Sequence, residues 1–187
     1  NLFNEKDKSS FNENLKIINK QIKQIENLIN EFSDFARMPK PIFRQNNLKD
    51  LIDENIKLLN QLDNSIDISF KSDSDKVYLE SDKEQLSRVF LNLIKNSIES
   101  INQKSQNISN FNKKITIELV QQNNHISVII EDNGIGFGDL KNNLRDILNP
   151  YFTTKKNGTG LGLSIVNKIV NDHNGKIKFM PIENGAK

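Results

Sequence analysis

Cysteine is absent from the 187-residue chain, which excludes a disulfide framework and a thiolate metal site and fits a reducing compartment. Histidine is scarce: the two that occur, His125 and His173, lie far apart in sequence. No stretch approaches the ~20 apolar residues of a membrane span, and the N-terminus carries no signal-peptide pattern, so no membrane contact is expected of this part of a chain. Charge of one sign is also missing, with 26 Lys and Arg against 24 Asp and Glu and a net charge of +2. The pI is near 8.7, and no concentrated basic arm is present, so nucleic acid is not favoured as a partner.

What is there reads as soluble and polar but not disordered, with 35% hydrophobic and 27% charged residues and a mean hydropathy of -0.59. The length suits one well-buried domain plus a smaller element. Because the chain opens with Asn1 and stops at Asn184-Gly185-Ala186-Lys187, after an apparent strand and a turn signal, both ends are expected to be cut from something longer.

Apolar residues recur at Phe11, Leu15, Ile18, Ile22, Ile25, Ile29, Phe32 and Ala36, spaced alternately by four and three. That is a heptad seam. Leu28 and Phe35 widen it towards the C-terminal end, which suits a four-helix bundle better than a two-stranded coil; an amphipathic helix packed on its own domain is the alternative. Pro39 and Pro41 predict a helix end near Arg37 and a linker over 39–47. Residues 48–62 have a helical period, Ile66–Phe70 alternates as a strand, and Val77–Leu79 reads as a short strand. Ser81 and Glu84 form a capping box for a helix carrying Leu86, Val89, Phe90, Leu93, Ile94, Ile98 and Ile101. Ile115–Val120 and Ile126–Ile130 form a hairpin around Gln121–His125. After a long loop come a helix from about Leu161 to Asn171 and a strand from Lys176 to Met180. The order predicts an α+β fold with helices covering one face of a mixed sheet.

Four patches stand out from packing. Asn92 and Asn96 are one helical turn apart on an otherwise apolar helix; they are either surface amides or polar groups needing partners, and an amide oxygen can ligate Mg²⁺. Glu131-Asp132-Asn133-Gly134-Ile135-Gly136 ends a strand: it is either a turn of the Asp-Asn-Gly type, or a carboxylate that accepts from an exocyclic amine beside glycines that admit a flat ring. Pro150-Tyr151-Phe152-Thr153-Thr154-Lys155 is either a loop anchor or an aromatic, hydroxyl and cationic cluster. Gly158-Thr159-Gly160-Leu161-Gly162-Leu163 runs into a helix, where free amides and the helix dipole favour an anion. It matches neither the dinucleotide fingerprint nor a Walker A loop.

Together, in this order and spacing, these segments resemble the N, first glycine, F and second glycine boxes of the histidine-kinase catalytic domain. Phe32-Ser33-Asp34-Phe35-Ala36-Arg37-Met38-Pro39 is similar to sensor kinases of the NtrY nitrogen-regulation type. The resemblance implies a two-layer α/β sandwich of the Bergerat type, with residues 48–187 as an ATP-binding domain truncated at its C-terminus. It makes residues 1–38 the second helix of a dimerisation and phosphotransfer hairpin whose acceptor histidine is absent.

It further implies that Asp132 reads the adenine amino group, that Gly134 and Gly136 make room for the base, and that Asn96 binds Mg²⁺ with Asn92 assisting around the phosphates. Gly160, Leu161, Gly162 and Leu163 would cradle the phosphates, with Thr153, Thr154, Lys155, Gly158 and Thr159 in a lid closing over ATP. Lys155, with Lys156 beside it, is the cation for the γ-phosphate. The implied partners are ATP, a response-regulator receiver domain and a second copy of the chain through the N-terminal helix. The implied location is the cytoplasm, in a protein anchored in the bacterial inner membrane.

Position 92 bears on mechanism. In the related ATPases of type II topoisomerases and mismatch repair the residue four before the magnesium asparagine is a glutamate that activates water, whereas Asn92 cannot act as a base. The chain also departs from the family's pattern. Glu99 and Ser100 stand where many histidine kinases have a basic and an aromatic residue, which leaves phosphate neutralisation to Mg²⁺ and Lys155. The lid between Gly136 and Gly158 has few charges to order it and is predicted to be mobile without nucleotide. His173 is expected to cap or pack after the last helix, and His125 to lie in the hairpin turn. The readings left open are a related ATPase, a serine kinase of the anti-sigma type, and a non-catalytic dimeric nucleotide-binding scaffold.

Overall fold

A computed structural model describes residues 5–62, 64–123, 125–138, 140, 144–155 and 158–187, without the side chains of residues 5–9, 27, 34 and 62. Helix α1 (Glu5–Ala36) carries the heptad seam. It ends as the two prolines dictate, with the Arg37 amide donating to Ser33 at 2.9 Å. The seam is open: Phe11, Leu15, Ile18, Ile22, Ile25, Ile29 and Phe32 are all exposed, from 40% at Leu15 to 59% at Phe11 and Ile29. Among the described side chains, it is the end of the helix and the residues after it that reach the core, through Phe35 and Met38.

The stretch read as a linker contains a strand, β1 (Arg44–Asn47), which leads directly into α2 (Leu48–Leu62). It pairs antiparallel with β3 (Tyr78–Ser81), Arg44 facing Ser81 and Asn47 facing Tyr78. Its sequence, Arg-Gln-Asn-Asn, has no apolar alternation, and the Asn46 amide provides the specificity by donating to the Ser81 carbonyl at 2.8 Å.

The main sheet has the order β2-β4-β5-β7-β6. Strands β2 (Asp67–Ser72) and β4 (Lys114–Gln122) run parallel. Strand β5 (His125–Asp132) returns antiparallel to β4, and the short β6 (Pro181–Ile182) and β7 (Gly185–Ala186) complete the far edge. Ile115, Ile117 and Leu119 of β4 alternate onto one face and are fully buried. Against them pack Leu51 and Ile52 of α2, Ile94 and Ile101 of α3 (Lys83–Ser105), and Val166 and Ile169 of α4 (Gly162–Asp172), all in one core. The helices therefore cover one face of a mixed sheet, the two-layer α+β arrangement that the sequence predicts.

Three local expectations are corrected. The cap of α3 is Asp82, which accepts from the Gln85 amide at 3.0 Å; Ser81 ends β3 and is fully buried. Asp82 has a second donor, the Ile42 amide at 2.8 Å. Burial pushes the Asp82 carboxyl up, but the amides of Ile42, Gln85 and Glu84 and the nearby His173 outweigh it and hold it below the usual carboxylate range. Second, Lys176–Met180 is not a strand; the antiparallel pairing begins only where the Met180 and Lys187 backbones bond to each other. Third, His125 opens β5 opposite Gln122 rather than lying in the turn. His173 packs as expected: its Nε2 accepts from the Asp82 amide at 3.0 Å, and Phe43 meets its ring edge-on at 5.1 Å. Asn124 of the hairpin turn, Lys156 and parts of the lid lie outside the described residues.

Candidate functional site

Helix α3 is the common wall of the site. Positions 92, 96, 99 and 100 follow the i, i+4, i+7, i+8 spacing of one helical face, and between them they meet three motif segments. A Cβ added at Gly162, the first residue of α4, would come within 2.9 Å of Asn92 Oδ1, so the second glycine segment abuts Asn92. The Asn92 amide nitrogen donates back to the Arg88 carbonyl at 2.8 Å, which leaves its oxygen facing α4. Asn96 Oδ1 accepts from Lys155 Nζ at 2.6 Å, and the same ammonium is ion-paired with Glu99. Ser100 Oγ accepts from the Ile135 amide at 3.1 Å, fastening the first glycine segment.

Asp132 ends β5 and is buried, 6% exposed. Its Oδ1 accepts from the Gly134 amide at 2.9 Å. Desolvation by burial raises its pKa, against the opposing pull of the Gly134 amide, the Ser97 hydroxyl, the Ala186 amide and the charge of Lys104. Lys104 holds the loop from behind, donating to the Asn133 carbonyl at 2.9 Å and to the Gly134 carbonyl at 3.0 Å. Gly134 has to be glycine: an added Cβ would overlap Ser100 Oγ and lie 2.7 Å from the Ser100 carbonyl carbon. The register places Asp132 opposite Ala186, so the C-terminal hairpin closes the edge beyond it.

The other end is looser. The Lys155 amide donates to Thr153 Oγ1 at 3.1 Å, and the Gly158 amide to the Lys155 carbonyl at 3.2 Å, closing small turns in an exposed loop that also carries Thr154. Gly160 has φ +72 and receives a hydrogen bond from the Tyr151 amide at 3.0 Å on its carbonyl; an added Cβ would strike the Tyr151 backbone. Leu161 is buried at the N-cap of α4 and supplies no side-chain cap; its own amide donates to Thr159 Oγ1 at 3.4 Å. The Thr159 hydroxyl donates to the Glu31 carboxylate of α1.

Three of the segments named from the sequence thus meet α3: Gly134 and Ile135 at Ser100, Lys155 at Asn96 and Glu99, and Gly162 at Asn92. Ser97, Lys104 and Glu31 were not foreseen, and Glu99 and Ser100 were read only as departures. No spacing rule marks a single polar residue on a helix whose partner is a distant loop.

The whole segment from Ser81 onwards has a family match: residues 81–187 fit the family described as histidine kinase-, DNA gyrase B-, and HSP90-like ATPase. The chain belongs to this ATPase family. It is 33% identical over 91% of its length to a protein of Rickettsia felis named as an NtrY-like sensor histidine kinase, of which it covers 27%. The chain spans about a quarter of the length of the curated relatives it matches. Among solved structures, the nucleotide-free catalytic domain of histidine kinase ThkA is 34% identical, with a TM-score of 0.65 over 78% of this chain and 91% of that one. Histidine kinase ThkA in complex with the response regulator protein TrrA gives 29% identity and a TM-score of 0.71, over 91% of this chain and 47% of that one. Within the described residues, no helix is long and apolar enough to cross a membrane.

Proposed function

We propose that this chain is the ATP-binding catalytic core of a two-component sensor histidine kinase. It passes the γ-phosphoryl group of ATP to a histidine supplied from outside residues 1–187, and from there to a response regulator. The observation that carries the reading is the convergence of the other three motif segments on the asparagine-bearing face of α3, with an amide rather than a carboxylate at position 92.

Asp132 accepts a hydrogen bond from the adenine amino group, and its burial makes that bond selective. Gly134 and Gly136 keep the wall beside it flat enough for the ring. The amides of Gly160–Leu163 receive the phosphates at the start of α4, which no side chain of the N-cap residue caps. Asn96 and its neighbour Glu99 already share one cation, Lys155 Nζ, so hard oxygens fit for Mg²⁺ are present, with Asn96 as its ligand. When bound, Mg²⁺ neutralises phosphate charge. Lys155 reaches for the γ-phosphate, and Asn92 contacts the phosphates without being able to take a proton from water. Phosphoryl transfer rests mainly on positioning and charge neutralisation, so this wall serves an incoming imidazole rather than hydrolysis.

In this reading residues 1–38 form the second helix of a dimerisation hairpin and 39–47 the connection, with the catalytic domain in 48–187. The exposed seam on α1 supports pairing with a second copy. The full protein is anchored in the bacterial inner membrane, with this part in the cytoplasm. The test is to incubate a longer gene product, restoring the upstream helix, with γ-labelled ATP and Mg²⁺. Label labile to acid and stable to alkali is expected. Acid-stable label would indicate a serine kinase on the same fold, and binding without label would indicate a scaffold.

A further inference from the structure

Glu99 poses a problem for the proposed site. It lies three residues after Asn96 on α3, half-exposed at 42%, on the face where the phosphates are received. A bare carboxylate there would repel them. In the structure it is not bare: Lys155 reaches across from the loop and binds the Glu99 carboxylate and Asn96 Oδ1 with one ammonium group. Two hard oxygens from adjacent turns therefore converge on a single cationic point.

An ammonium and a magnesium ion make similar demands on such a pair, since each is a compact, strongly hydrated cation that selects oxygen. One position between two side chains cannot hold both. Lys155 in this position has two of its three donors and its charge committed to Asn96 and Glu99, so it serves a phosphate fully only once it leaves them.

We propose that Glu99 completes, with Asn96, a two-oxygen cation position, and that Lys155 is its nucleotide-free occupant, released to the phosphates when the metal-nucleotide takes its place. This rests on the reading of the site as a Mg-ATP site. It assigns Glu99 the part of a metal-positioning carboxylate and makes the exchange of Lys155 for the metal the event that arms the loop. Outside this cluster, no group of three or more acidic or histidine side chains among the described residues is arranged to hold a metal. The phosphates and water must therefore complete the shell.

The test is calorimetric titration of the chain with ADP, with Mg²⁺ present and with a chelator, for the parent and Glu99→Gln. The readout is the ratio of the two affinities, which needs no turnover. The parent is expected to bind more tightly with Mg²⁺. In Glu99→Gln that advantage is expected to shrink about tenfold, with chelator-state affinity unchanged or improved because a repelling charge is gone. Circular dichroism of the variant serves as the folding check. An unchanged ratio in Glu99→Gln would reduce Glu99 to a counter-ion of Lys155 and overturn the proposal, as would weaker binding in chelator. No ADP binding by the folded parent would defeat the site reading itself, a failure visible before the variant is made.

Discussion

Asp132 and Lys155 mark two ends of the proposed site that are built by opposite means. Asp132 is buried on a strand end, bonded by its own loop's backbone, backed by Lys104 and edged by the C-terminal hairpin. Lys155, Asn96 and Thr159 are held by side-chain contacts at exposed or half-buried positions, and those contacts cross between segments that packing does not lock together. On the proposed reading the first end is preformed and supplies selectivity. On the same reading the second is held in an arrangement that a phosphate chain must break, and it supplies the moving parts.

The largest expected effect is at the preformed end. Asp132→Asn should weaken ATP binding about a hundredfold, since it places a donor against the adenine amino group at a cost of about 2–3 kcal/mol. The fold should not suffer. A buried carboxyl with a raised pKa contributes stability that is fully present below its unfolded pKa and lost as pH rises through the folded one. At neutral pH the charge is thus a cost, and the variant's melting temperature should fall by no more than about 5 °C. The same sign predicts that ATP affinity in the parent falls as pH drops through the raised pKa of Asp132, measurable by titration across the acid range. If Asp132→Asn unfolds the chain, the comparison fails, because selectivity and stability would then share one group.

Asn96→Ala should abolish the tightening of nucleotide binding by Mg²⁺, about tenfold, while leaving chelator-state binding in place. Its effect belongs wholly to the second end. Lys104→Met sharpens the contrast from the other side: it should weaken ATP binding by about fivefold through the freed Asn133 and Gly134 carbonyls, about 1 kcal/mol, without changing the Mg²⁺ ratio, and Lys104→Arg should recover part of the loss. The smallest effect is at Glu31. Glu31→Gln removes an acidic partner of Thr159 beside the phosphate loop and should tighten ATP binding by no more than about threefold. A larger gain would mean that α1 holds the phosphate end shut more firmly than one screened contact allows.

The sequence announced the elements whose pattern is local. Helix α2 runs over the residues its period predicts, and the β4–β5 hairpin follows its alternation. What it hid depended on distant partners. Strand β1 is four polar residues that become a strand only because β3 lies beside them. Ser81 looked like the cap of α3, but Asp82, one residue later, has the better geometry and also catches the incoming Ile42 amide. Lys176–Met180 alternates like a strand, yet its neighbouring chain reaches only as far as Met180.

The candidate site divides the same way. Asp132, the glycines and the paired asparagines were legible because each sits in a motif with its own spacing. Ser97, Ser100, Lys104 and Glu99 were not, because their meaning comes from the loops that α3 faces. Glu99 and Ser100 illustrate this most sharply: read as losses from a pattern, they turn out to hold Lys155 and the Ile135 amide.

The most direct measurement is to titrate the chain, with Mg²⁺ present, first with ATP and then with GTP. On the proposed reading the buried Asp132 carboxylate accepts from the amino group of adenine, and it would oppose the carbonyl oxygen that guanine presents at the same position. The account predicts saturable ATP binding with GTP at least about a hundredfold weaker. Equal affinity for the two, or binding of neither by the folded chain, would contradict it.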